Sequence, residues 1–261
     1  MSFFSFWYMF FVGIVIATIA MSAGIGGATF FVPFFLLVLK IPVRSAIVIG
    51  IFIEIFGFAA GFYNYRRMKQ IDFPLAWKTL FVALPSVVVG VVLNRVINPT
   101  VGEVIFILAL MIIATQFLLL RGGGDGEPRQ FDFISMLIAA FGGLLLGFIS
   151  TGLGESNEYS FFSRLKRSPP ITAGTSVLVV AISAIVATTA QIIFLLLGSG
   201  LGTIAPYVAL IVYSVLGVLV GAKLGSIVSN RVEKEPFRRW LSVVLYVVAI
   251  VSILRIVFVG P

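Results

Sequence analysis

Glu54 stands where a carboxylate is costly, inside IFIEIFGFAAG, an otherwise apolar stretch within a run long enough to be a membrane helix. An ionised acid at the centre of a bilayer costs ~2.5–3.5 kcal/mol on insertion scales, so such a group finds a partner or titrates. Glu54 is therefore a candidate carrier of a coupling proton. The competing structural reading is an ion pair. Arg44 is a poor partner for it, because ten residues of helix separate the two by ~15 Å. Two more acids, Glu155 and Glu158, lie three apart in GLGESNEYSF, Gly152 to Phe161. At a helix start they either cap free backbone N–H groups or join Glu54 in moving protons.

Beside the acids are residues suited to an anion. The run GIGGATFFVP, Gly24 to Pro33, holds three glycines in four positions, and Gly152 and Gly154 echo it weakly. Gly24 and Gly152 each stand eighteen residues before a proline, Pro42 and Pro170, which suggests duplication. Glycine leaves helical geometry readily, so Gly24, Gly26 and Gly27 predict a broken membrane helix. Broken backbone at membrane depth survives where protein buries it or where it lines a watery cavity, which makes a paired break the mark of a translocation site. Close packing through small residues is the plainer alternative, but it does not require the polar Glu155, Ser156 and Asn157 alongside.

Helices starting near Ala28 and near Ser156 would each turn free N–H groups and a positive dipole end toward the bundle centre. Backbone donors hold an oxyanion without a permanent charge of their own, and Ser22, Thr29, Ser150, Thr151, Ser156 and Asn157 add side-chain donors. Thr175 and Ser176 open a later helix, with Gln191 about four turns further along and Gln116 late in helix five of the other half. Back-bonding to their own helix, or gluing two helices together, explains these four equally well. Tyr159, just after the second motif, is a further candidate contact.

The elements that must position these residues follow from composition. The chain has 261 residues, 60% hydrophobic and 11% charged, with a mean hydropathy of +1.17, which excludes a soluble globular domain. Its apolar runs reach the roughly 20 residues of a membrane helix and lack the short alternating strands of a barrel, so the class is all-α and polytopic. Histidine and cysteine are absent, removing thiol chemistry and most zinc sites. No catalytic residue, metal or cofactor is expected. The N-terminus lacks a basic region and a cleavage site, so it reads as a first membrane element. The net charge of +8 lies in short loops, which argues for topology and against nucleic acid.

The run from Phe6 to Leu39 is divided by the glycines into about eighteen and eleven residues, so Thr29 to Leu39 covers only about half of a ~30 Å core. It is a half-helix or one arm of a re-entrant hairpin. Long helices follow at about Val43 to Tyr65, Phe73 to Leu93 and Val101 to Leu120. Residues 121–130, including RGGGDGEPR, read as a flexible cytoplasmic linker between repeats at 1–120 and 131–261. The pattern then restarts with Phe133 to Thr151, a short piece ending at Arg164, Ile171 to Leu197, Thr203 to Val228 and Trp240 to Val259.

Arg66, Arg67 and Lys69 place their loop in the cytoplasm by the positive-inside rule, and counting spans puts Arg121 and Arg129, Arg164 to Arg167 and Arg231 to Arg239 on that side. Lys40, Arg44, Arg95 and Lys223 are the exceptions. Each half then crosses an odd number of times, so the two repeats of about five elements must be inverted, an arrangement common among secondary transporters. Trp7, Tyr8, Trp77 and Trp240 near helix ends fit interfacial anchoring.

The first motif with Val32 and Pro33, the second upstream of Pro170, and the run Ala173, Gly174, Thr175, Ser176 resemble the repeated signature of the TauE/SafE sulfite-exporter permeases, also called TSUP. The resemblance covers about residues 10 to 258. It implies a multi-pass permease of the cytoplasmic membrane moving sulfite, a sulfonate or a related sulfur-containing organic anion, with ion coupling implied less firmly. The departure is Glu155, which stands at the place of a glycine. Rival readings are a transporter of another solute that uses Glu54, Glu155 and Glu158 for cations or protons, an intramembrane enzyme, which has no well-placed Lys, and a membrane assembly protein. Lipid is the expected surroundings, homo-oligomerisation stays open, and no ATP-binding loop is present.

Overall fold

The computed structural model describes residues 3–119, 127–198, 201–229, 231 and 234–259. All regular structure among them is helical. A 3-10 turn leads into α1 (Met9–Ala23), followed by α2 (Ala28–Leu37), α3 (Val43–Arg67), α4 (Phe73–Val96) and α5 (Pro99–Leu119). Then come α6 (Phe133–Ile149), the short α7 (Leu153–Asn157) continued by a π-helical segment (Glu158–Arg164), α8 (Pro169–Leu197), α9 (Val208–Val228) and α10 (Lys234–Val259). Residues 121–126 of the expected linker lie outside the described residues; beyond them the Arg129 N–H donates to the Leu165 carbonyl at 3.0 Å.

Helix ends fall where the chemistry sets them. Asp72 caps α4 by accepting the Leu75 N–H at 3.1 Å, with Pro74 following where a missing N–H costs nothing. Pro42 precedes α3, and Pro169 and Pro170 open α8. Among the described residues six helices are long and apolar enough to cross a membrane: the element Phe4–Ala23, α3, α4, α5, α8, and α9 with its leading turn. Large apolar side chains such as Phe81, Leu197 and Phe258 point outward, as a lipid-facing surface requires. Trp7, Trp77 and Trp240 are also exposed.

α2 is only 10 residues long, about 15 Å, so it stops halfway through a hydrocarbon core. The same holds for α7 with its π-helical continuation. The long helices close around these short ones: α1 packs chiefly on α9, α4 on α6, α3 on α8 and α5 on α10. Glycine makes two of these seams possible. A Cβ on Gly217 would strike the Phe10 carbonyl and one on Gly221 the Ile14 carbonyl, while Gly143 and Gly147 meet the Ala83 and Val87 carbonyls. Backbones this close gain dispersion contacts that lipid cannot match, the main source of helix association in a bilayer.

Candidate functional site

The glycine motifs break their helices by turning the backbone left-handed. Gly24, at φ 72°, ends α1 with its N–H on the Ala20 carbonyl. Ser150 ends α6 in the same way at φ 61°, and Gly152, at φ 102°, begins α7. The left-handed region costs a non-glycine residue roughly 1 kcal/mol. The Ser150 hydroxyl gains a compensating bond to the Ile47 carbonyl at 3.0 Å.

The two breaks meet. A Cβ on Gly154 would lie 3.0 Å from both the Gly26 nitrogen and the Ile25 Cα, so the absence of a side chain lets the two irregular backbones touch. Ser176 of α8 ties them together, its hydroxyl 3.0 Å from the Gly24 carbonyl and 3.4 Å from the Gly154 carbonyl. Asn157 Nδ2 donates to that hydroxyl at 3.5 Å.

Each break also carries a carboxylate. The Ala28 N–H donates to Glu54 Oε1 at 3.2 Å, and the Gly152 N–H donates to Glu155 Oε2 at 3.0 Å. Thr29, one residue into α2, donates its hydroxyl to Glu155 Oε1 at 2.6 Å, and the Thr29 and Thr151 hydroxyls are 2.5 Å apart. Glu54 and Glu155 are 3% and 1% exposed, and Glu54 Oε2 is buried with no hydrogen-bond partner among the described residues. Sequence reasoning expected open N–H groups near Ala28 and near Ser156. The second short helix instead starts at Leu153, and both helix starts are occupied by carboxylates of the chain itself. Glu54 is paired with backbone, not with Arg44.

A family model described as sulfite exporter TauE/SafE matches residues 9–252. The chain belongs to the TauE/SafE sulfite exporter family. Comparisons with curated proteins and with solved structures return no match. Membership, together with six apolar spans, makes it a multi-pass membrane transporter.

This TauE/SafE protein gathers only part of the expected set at the breaks. Gly24, Gly26, Ala28, Thr29, Gly152, Gly154, Glu54, Glu155, Asn157 and Ser176 converge there. Gly27 is the N-cap of α2 in ordinary helical geometry. Ser22 bonds back to the Ile19 carbonyl of its own helix. Thr175 points elsewhere, its hydroxyl accepting the Asp72 N–H at 2.9 Å and so joining α8 to the start of α4. Ser156 and Gln116 line one mainly apolar cavity between α4, α5 and α6, together with Gly152. Glu158 is buried at the start of the π-helical segment, and Tyr159 packs at the edge of the larger apolar core. Gln191 is buried, and neither side-chain amide atom has a partner among the described residues.

Sequence reasoning missed a second buried acid in an apolar helix. Glu103 of α5 is 1% exposed and pairs with Arg255 of α10, Oε1 to Nη1 at 2.7 Å. The signal was the one that singled out Glu54, an acid in PTVGEVIF, and the partner lies too far along the chain for spacing to reveal it. Tyr65 was missed as well. Its hydroxyl donates to the Met21 carbonyl at 2.9 Å, bracing the end of α1 from α3.

Proposed function

We propose that the protein is a secondary transporter of a small sulfur-containing anion, such as sulfite or an organosulfonate, working by alternating access between two inverted halves with proton coupling at Glu54 and Glu155. The observation that carries this reading is the occupation of both short-helix starts by carboxylates. A carboxylate on a backbone N–H stands in the place of a substrate oxyanion. When Glu54 is neutralised by a proton its hold on the Ala28 N–H weakens, and a substrate anion can take that donor at a positive helix end. Proton and anion then move in the same direction. When the proton leaves, the returning carboxylate charge expels the anion.

The inverted arrangement is supported by the helix pairing. Matching α1 to α6, α2 to α7, α3 to α8, α4 to α9 and α5 to α10 turns the α1–α9 contact into the α6–α4 contact, and maps α3–α8 and α5–α10 onto themselves. Two halves so related can rock about their common centre, where the breaks lie. Residues 1–120 and 131–261 are the proposed halves, with the 121–130 linker on the cytoplasmic side. Ser176, Asn157 and Thr29 are the proposed polar contacts of the substrate path, with Glu158 as a secondary acid beside it.

The test is uptake of labelled sulfite and sulfoacetate into proteoliposomes under an imposed pH gradient. Uptake driven by inward proton flow, and made insensitive to the gradient in Glu155→Gln and Glu54→Gln, is the expected result. Uptake of neither anion by active, folded protein would remove the substrate assignment. Proton movement without either anion would favour a different solute coupled to the same acids.

A further inference from the structure

At the end of the bundle opposite the Arg66–Lys69 loop lies a cavity of about 210 Å³ lined by Arg44, Ser45, Asn94, Arg95 and Thr203 and by three aliphatic side chains. Arg44 and Arg67 sit near the two ends of α3, so about 34 Å separates this cavity from the basic loop. The volume is that of several water molecules, room for a small oxyanion. Cations here run against the charge bias of the rest of the chain, so membrane topology does not account for them.

Backbone carbonyls hold both guanidinium groups, the Phe194 ring also supports that of Arg95, and neither pairs with a carboxylate among the described residues. Arg44 Nη2 donates to the Arg95 and Ile97 carbonyls at 3.1 and 3.2 Å, and Arg95 Nη2 donates to the Gln191 carbonyl at 3.3 Å. The ion pairs among the described residues involve neither side chain. A guanidinium has five N–H donors, and Arg44 Nε is buried without a partner. Capping the end of α4 explains both bonds of Arg44, though not its unpartnered Nε. It does not explain Arg95, which lies over the Phe194 ring at 5.8 Å and donates to a carbonyl six residues before the end of α8 that is already inside that helix's own hydrogen-bond ladder. Two like charges fixed at one cavity, each with spare donors, match an oxyanion in charge and in fork geometry.

We propose that Arg44 and Arg95 form an anion-binding site at this mouth of the transporter, taking a small oxyanion such as sulfite or a sulfonate headgroup before or after it passes the central breaks. The role in transport rests on the anion-transporter reading above; the site itself does not. Binding of radiolabelled sulfite to the full chain in phosphatidylcholine nanodiscs tests it. Arg44→Gln and Arg95→Gln are each expected to weaken the apparent Kd about tenfold, as loss of a charged hydrogen-bond partner does, while Arg95→Lys recovers part of the affinity. Wild-type affinity is expected to fall as ionic strength rises. Unchanged Kd in both Gln variants overturns the proposal. Should Arg44→Gln fail to fold for want of the α4 cap, Arg95→Gln, which caps nothing, decides the matter. Sulfite binding that appears only when phosphatidylglycerol is absent would assign the pocket to a lipid headgroup and also overturn it. Arginine-dependent binding without any sulfite transport removes the transport reading and leaves the site. Sulfite transport with the same KM in both variants leaves the transport reading and removes the site.

Discussion

The two broken helices solve one problem by different means. The first break is held from outside: Glu54 and Tyr65 of α3 take the Ala28 N–H and brace the Met21 carbonyl, and Ser176 of α8 holds Gly24. The second supplies its own acid, although Ser150 reaches the Ile47 carbonyl of α3, Thr29 of α2 donates to Glu155 and Ser176 of α8 reaches the Gly154 carbonyl. Its acid, Glu155, lies in its own short helix and folds back on Gly152, while Asp132 and Arg164 link the start of α6 to the end of the π-helical segment at 2.7 Å. A helix start capped from a neighbouring helix responds directly when that helix moves, and one capped from within its own turn does so only through its other contacts. The start of α2, whose acid comes from α3, is thus the better placed to register motion of that helix.

The sharpest way to break this comparison is to fill the first turn. Gly24→Ala places a side chain at φ 72° and 2.8 Å from the Ala173 Cα, so a loss of about 2–4 kcal/mol is expected in reversible unfolding in detergent. Gly27→Ala is the control. Its added Cβ meets only the Phe31 ring at 3.8 Å, and a change within about 0.5 kcal/mol is expected. Equal losses at the two positions would show that the motif tolerates or rejects side chains as a block, contrary to the geometry.

The next separation is between the acids. Glu54→Ala removes the acceptor that links α3 to α2, whereas Glu155→Ala removes a local cap together with the acceptor of the Thr29 hydroxyl. Each leaves a buried donor unmet, at a cost of about 1–3 kcal/mol. Glu54→Ala is expected to raise amide exchange in both α2 and α3. Glu155→Ala is expected to raise it mainly around residues 150–157. Identical exchange footprints would erase the distinction between a borrowed and a local cap. Tyr65→Phe sharpens it further, leaving the Met21 carbonyl unbraced for a loss of about 1 kcal/mol confined to the α1 end.

Much of this difference was legible in part. The breaks, the half-length α2, the buried Glu54 and the ordering of long and short elements follow from glycine spacing, run length and the cost of a membrane carboxylate. Glu155 was readable as a cap because its partner, Gly152, lies three residues away. Glu54 was readable as a problem without a solution, since the Ala28 N–H lies twenty-six residues upstream and across a turn. Thr29 meeting Thr151 and Glu103 meeting Arg255 bridge more than a hundred residues, and no local pattern encodes them. The start of α7 was misplaced toward Ser156 because the sequence shows where glycine permits a turn, not which φ ends it.

The smallest expected effect probes the latch on the second unit. Asp132, outside the membrane spans, accepts from the Ser135 hydroxyl at 2.6 Å and from the Ser135 N–H at 2.9 Å, and these bonds, then Arg164, hold its carboxyl down to about 2. A carboxyl lowered by folding stabilises the folded state fully above its unfolded value near 4 and loses that contribution as pH falls toward about 2. Asp132→Asn should therefore lower the melting temperature at pH 7 by no more than about 2 °C, because the group is exposed and solvent screens it. The same substitution should narrow the gap between melting at pH 5 and at pH 3. An unaltered gap would mean that other carboxylates govern acid sensitivity, and that neither the Ser135 bonds nor Arg164 favour the charged form of Asp132 on folding.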